Sequence, residues 1–132
     1  MNDIELSKSL VGEQAAETMR LADAIWRYAE LAYEEEKSAS ALIDALKKEG
    51  FAIEEGIAGM PTAFTATYRV GSGKPTVGFL AEYDALSGLS QCAATPECEP
   101  VVQGGAGHGC GHNLLGAGCY AAAVAVKEYL VR

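Results

Sequence analysis

Positive charge is scarce in this sequence: ten Lys and Arg stand against 18 Asp and Glu, for a formal net charge of −8. A duplex nucleic-acid binder needs a basic face to displace counterions, so that class is excluded. The same sign disfavours docking on an anionic membrane surface. No uninterrupted apolar run reaches the ~18 residues of a spanning helix. The opening stretch MNDIELSKSLVGEQAAETMR is acidic and amphipathic and lacks the apolar centre of a secretory signal. The expectation is a cytoplasmic protein with neither a nucleic-acid nor a membrane partner. Cysteine occurs only at 92, 98, 110 and 119, with no C-x-x-C pair, and in a reducing compartment these read as thiols. Histidine is scarcer still, at 108 and 112 alone.

The composition that remains is that of a folded chain. Of 132 residues, 49% are hydrophobic and 21% charged, which suits one domain with a real core. Val11, Ala15, Met19, Ala22, Ile25, Trp26, Ala29 and Tyr33 recur at helical spacing and predict a long helix over 9–35. The glutamates at 30, 34, 35 and 36 near its end read as a solvated face. A second helix is expected over 38–49, with Ser38 as N-cap and Gly50 as its stop. Three strands follow: a short one at 51–54, an alternating one at 62–70, and TVGFLAEY at 76–83, whose apolarity predicts burial on both faces. Gly71-Ser72-Gly73-Lys74 has the chemistry of a tight turn. Residues 85–112 show no period, and a loop of that length is usually functional. An alanine-rich helix is expected over 114–130. The fold class is α/β. The order ends on a helix after a buried strand, where another parallel strand normally follows, so the sequence reads as part of a larger enzyme.

Both histidines lie in Gly107-His108-Gly109-Cys110-Gly111-His112-Asn113. In an extended segment Cys110 and His112 would leave the same side of the chain. Thiolate and imidazole together make half a site for a borderline-soft divalent ion such as zinc. The same window also reads as a glycine-rich turn with an inert cysteine and a satisfied histidine. Further donors are Asp84, Glu82, His108, Cys92 and Cys98. Asp84 closes the third strand at its C-terminal end, where open α/β sheets bind ligands, and could ligate or orient a ligating histidine. Strand-end solvation is the plainer role for Glu82 and Asp84. Cys119 reads as a packed helix residue.

Ala81-Glu82-Tyr83-Asp84-Ala85-Leu86 followed by Gly107 to Asn113 resembles the aminoacylase/carboxypeptidase-type amidohydrolases with a dinuclear metal centre. The segments AELAYEE at 29–35 and Gly50-Phe51 resemble that family's N-terminal pattern. The resemblance implies the N-terminal part of a three-layer α/β/α catalytic domain over residues 1–132, without the lid and dimerisation domain or the C-terminal half. It implies two divalent ions, zinc or manganese, that polarise an amide carbonyl and activate water. It implies hydrolysis of p-aminobenzoyl-glutamate or a related N-acyl amino acid, by a homo-oligomer or by a hetero-oligomer with a homologous A subunit. By position, Cys110 and His112 match metal ligands, Asp84 matches an aspartate that steadies a ligating histidine, and Glu82 stands where sister families have that histidine. His108 matches a supporting or loop-stabilising position. Asn113 stands where many relatives have Asp and receives no ligand role. The family's general-base glutamate and its later ligands have no counterpart here, so the isolated chain is expected to be inactive. A non-catalytic or degenerate α/β domain acting in assembly or binding is the alternative.

Overall fold

A computed structural model describes residues 2–71 and 74–132. Asn2 opens helix α1 (Asp3–Glu13) with a capping box: the Glu5 N–H donates to Asn2 Oδ1 at 2.9 Å, and the Asn2 N–H donates back to Glu5 Oε2 at 3.1 Å. At Gln14 the N–H donates to Val11 O, three residues back, and the helical ladder is re-phased. Helix α2 (Ala15–Tyr28) then ends at Ala29, which adopts left-handed dihedrals (φ 46°, ψ 48°). The single helix expected over 9–35 is therefore two helices. Glutamine is not a helix breaker, and Ala29 carries no stop signal.

The chain between α2 and α3 (Glu36–Lys48) folds its glutamates inward in part. Glu30 accepts from the backbone N–H groups of Lys37 and Ser38 and from the Ser38 hydroxyl, at 3.0, 2.8 and 2.7 Å. It satisfies orphan donors at the start of α3, the work assigned from sequence to Ser38. Glu35 is buried. The run from 30 to 36 is thus only half a solvated face. Helix α3 closes as expected, with Gly50 at φ 83°.

Strands β1 (Ala52–Glu55) and β2 (Phe64–Thr67) pair antiparallel, Ala52 opposite Thr67. Phe64 and Ala66 turn toward α3 while Thr65 and Thr67 face solvent, which is the expected alternation. The predicted turn residues Ser72 and Gly73 lie outside the described residues. The third predicted strand is a correction. Residues 76–83 form no ladder among the described residues, and Val77, Phe79 and Leu80 are exposed, Leu80 to 93%. An apolar run becomes a strand buried on both faces only when neighbours pair its backbone and layers cover both sides. Here one helix reaches it, where the Cys119 thiol donates to Leu80 O at 3.2 Å.

Residues 85–111 form no helix or strand but fold back on themselves. Leu86 and Gly107 exchange both backbone hydrogen bonds, at 2.9 and 3.0 Å, and further inside Ser90 N–H meets Gly105 O and Cys92 N–H meets Glu99 O. All four cysteines are free thiols. Helix α4 (His112–Val131) supplies Ala117, Tyr120, Ala121 and Val124 to the core beside Leu21 and Ile25 of α2 and Leu42 and Leu46 of α3. By length and composition alone α4 could cross a membrane. Its apolar residues nevertheless have a packing use, since α1, α2 and α3 all lie against it. The molecule is mixed α/β: four helices and a two-stranded sheet.

Candidate metal centre

Three segments meet at the N-terminus of α4. The first is the end of the extended run 76–84. Glu82 and Asp84, two residues apart, leave one side of it, and Tyr83 leaves the other. Tyr83 stacks near Phe64 with ring centroids 6.1 Å apart, and its hydroxyl donates to Thr62 O at 2.5 Å. Immediately after, Ala85 N–H donates to Glu30 O at 2.7 Å, fixing the second segment, the α2–α3 connection, alongside. The third is the glycine-rich return. At Gly107 a Cβ would lie 2.0 Å from Leu89 O, so only glycine permits the backbone to pass there. Gly111, at φ 83°, turns the chain into α4 and sets His112 as the helix's first residue.

The result is a compact cluster. His112 Nδ1 lies 2.7 Å from Asp84 Oδ1, and its Nε2 lies 3.0 Å from Glu82 Oε2. Asp84 only accepts, so Nδ1 carries the hydrogen and Nε2 presents a lone pair to a second carboxylate. Two acceptors 3.0 Å apart require a positive charge to share, either a proton or a cation. Donors roughly 2.0–2.2 Å from a tetrahedral ion sit about 3.4 Å from each other, close to this separation. One imidazole and two carboxylates suit a divalent ion of zinc or manganese character. His112 and Asp84 are largely buried while Glu82 is open to solvent, leaving access from one side. A cavity of about 170 Å³ lined by Glu35, Thr62, Glu82, Tyr83 and Asp84 adjoins the cluster. A larger hollow of about 530 Å³ beside α2 and α3, lined by Arg20, Lys37 and Lys48, contains none of the candidate residues.

The structure thus brings together Glu82, Asp84 and His112, and leaves Cys110 and His108 apart from that group. Cys110 is exposed. The same-side argument for Cys110 and His112 assumed extended chain, but Gly111 N–H donates to His108 O at 3.1 Å, and the segment is a turn. His108 ties the loop to α2 through Nε2, which donates to Ile25 O at 3.0 Å. Its Nδ1 is buried without a partner among the described residues. Burial lowers the His108 pKa, with the Ile25 carbonyl opposing and His112 adding to the drop. Neither Cys92 nor Cys98 approaches the cluster. Sequence reasoning missed Glu35 and Thr62, which are joined by a buried 2.7 Å hydrogen bond beside the site. No periodicity marks either one.

An α/β chain with an imidazole between two carboxylates at a strand end has the makings of a metal-assisted hydrolase, and comparison with known proteins bears on that class directly. The chain is homologous to hydrolases of amide and peptide bonds. It is 47% identical over 110 residues, 83% of its length, to the B subunit of p-aminobenzoyl-glutamate hydrolase from Escherichia coli (strain K12). It is 33% identical over 135 residues, 94% of its length, to Xaa-Arg dipeptidase of Homo sapiens. Against Xaa-Arg dipeptidase of Mus musculus it is 34% identical over 140 residues, 97% of its length. These matches span 22%, 27% and 28% of the respective relatives, so the chain covers about a quarter of their length. No family model matches it.

Proposed function

We propose that this chain is the N-terminal portion of the catalytic domain of a metal-dependent amidohydrolase. The substrate class is an N-acyl amino acid, with p-aminobenzoyl-glutamate the foremost candidate, since the relative at 47% identity bears that name. The observation that carries the reading is the Glu82–His112–Asp84 constellation within a chain homologous to such enzymes. Asp84 orients His112 by holding its Nδ1–H, which leaves Nε2 free to ligate. Glu82 adds a carboxylate from the open side. Cys110, two residues before His112 on a glycine turn, is the thiolate donor for a second ligand set. A divalent pair bound there polarises the amide carbonyl and lowers the pKa of water. The general base and the remaining ligands come from polypeptide beyond these residues, so the isolated chain turns over little. The name of the bacterial relative supports an assembly with a homologous A subunit.

The test is activity with manganese or zinc in a protein that carries this sequence within the full length of its relatives. Asp84→Asn, which keeps the shape but loses the charge that steadies His112, is expected to lower kcat/KM about 10- to 100-fold. Wild-type activity in that variant, or full activity from the 132-residue chain alone, would overturn the reading.

A further inference from the structure

Residues 76–81 have no strand beside them among the described residues, yet Glu82 and Asp84 are held within bonding reach of His112. The direction in which those carboxylates point therefore depends on the anchors of the two residues between and after them. Ala85 is fixed through its backbone to Glu30. Tyr83 is fixed through its hydroxyl to the carbonyl of Thr62. Thr62 precedes β2 and is itself held, because its hydroxyl donates to Glu35 Oε2 at 2.7 Å in a buried contact. Glu35 is 9% exposed and Thr62 7%. A carboxylate so far from water needs that hydroxyl, so the pair resists displacement.

We infer that Glu35 and Thr62 are positioning residues for the metal centre. Glu35 locks Thr62, Thr62 locks the Tyr83 hydroxyl, and the locked Tyr83 turns its neighbours Glu82 and Asp84 toward His112. This rests on the metal-centre reading above. It assigns a purpose to a glutamate and a threonine that touch neither ion nor substrate. The stacking of Tyr83 on Phe64 restrains the ring's position, but it does not fix rotation of the chain about the ring. The hydroxyl supplies that directional restraint.

The experiment is a cobalt(II) titration of the 132-residue chain, followed by calorimetry and visible absorption. The wild type is compared with Tyr83→Phe, Thr62→Val and Thr62→Ser. Tyr83→Phe keeps the ring and removes only the tether, so it guards against a merely unfolded Thr62→Val. Binding about tenfold weaker in Tyr83→Phe and Thr62→Val, with an altered cobalt band, is the expected result. Thr62→Ser, which keeps the hydroxyl, is expected to restore wild-type affinity. Unchanged affinity and spectrum in the first two variants would overturn the positioning role while leaving the metal centre standing, even if their melting temperatures fell. Absence of any cobalt band in the wild type would overturn both.

Discussion

At the scale of single residues, burial decides which side chains can change charge. Tyr120 lies 4% exposed in the core, and its pKa is pushed up to about 12, first by burial and then by the nearby charges of Glu49 and Glu17. Tyr83 is likewise raised to about 12 by burial and by Glu35. A tyrosine in the unfolded chain titrates near ~10. The folded state therefore holds these protons more tightly. Their contribution to stability is fully present below about pH 10 and is lost as pH rises through about 12. The urea midpoint is expected to fall between those two pH values. Tyr120→Phe, which removes the ionisable group, should flatten that fall, and a midpoint series from about pH 8 to about pH 12 checks it. Tyr120 was legible as an inward residue because helix α4 is apolar around it. Glu35 was not, because a run of four glutamates within seven residues has the pattern of a wet surface. Its burial comes from Thr62, 27 residues away, and no local signal announces that partner. Asn2 and Glu5 are the opposite case: their spacing is a capping signature, and it starts α1 earlier than hydrophobic periodicity alone indicates.

Elements were readable where a period met a stop signal. Helix α3 ends where Gly50 allows it, and β2 alternates as its sequence alternates. The failures came where tertiary context decided. Helix α2 stops at Ala29, a residue that favours helix, because the next residue must deliver Glu30 to the start of α3 and its carbonyl to Ala85. Ala29 accepts left-handed dihedrals to do so, which cost a non-glycine residue about 1 kcal/mol. Ala29→Gly removes that strain but adds backbone entropy to the unfolded chain, of order 0.5 kcal/mol. The net expectation is a gain of about 0.5 kcal/mol, read as a higher urea midpoint with an unchanged slope. A loss would mean that the methyl group packs usefully in its half-buried position. The segment 76–83 marks the other limit of reading by element. Its sequence is that of a strand buried on two faces, but burial is a property of neighbours, and with Leu80 at 93% exposure the described residues do not supply them.

For the molecule as a whole, the question is what the cluster at α4 does to stability. The site joins the extended run 76–84, the α2–α3 connection and the glycine-rich return, three segments that share few apolar contacts with the core cluster. An ion held by Glu82, Asp84 and His112 would bind the folded chain and not the unfolded one, and would stabilise by mass action. At roughly a hundredfold excess over Kd that amounts to about 2.7 kcal/mol. For a chain of this length the unfolding entropy converts it into a rise in Tm of about 10 °C. Chelator should abolish the rise, and so should His112→Ala, which removes the one nitrogen donor. Cys110→Ala separates the two candidate metals. A thiolate prefers zinc over manganese, so that variant should lose part of the zinc shift and keep the manganese shift. The outcome decides between the two pictures of Cys110 that sequence and structure offer. The resemblance makes it a ligand, while the turn closed by Gly111 and His108 leaves it exposed and outside the cluster. An undiminished zinc shift in Cys110→Ala would assign the ion to the histidine and two carboxylates alone. A melting temperature indifferent to both metals in the wild type would identify the chain as a fold that keeps the ligands' positions without using them.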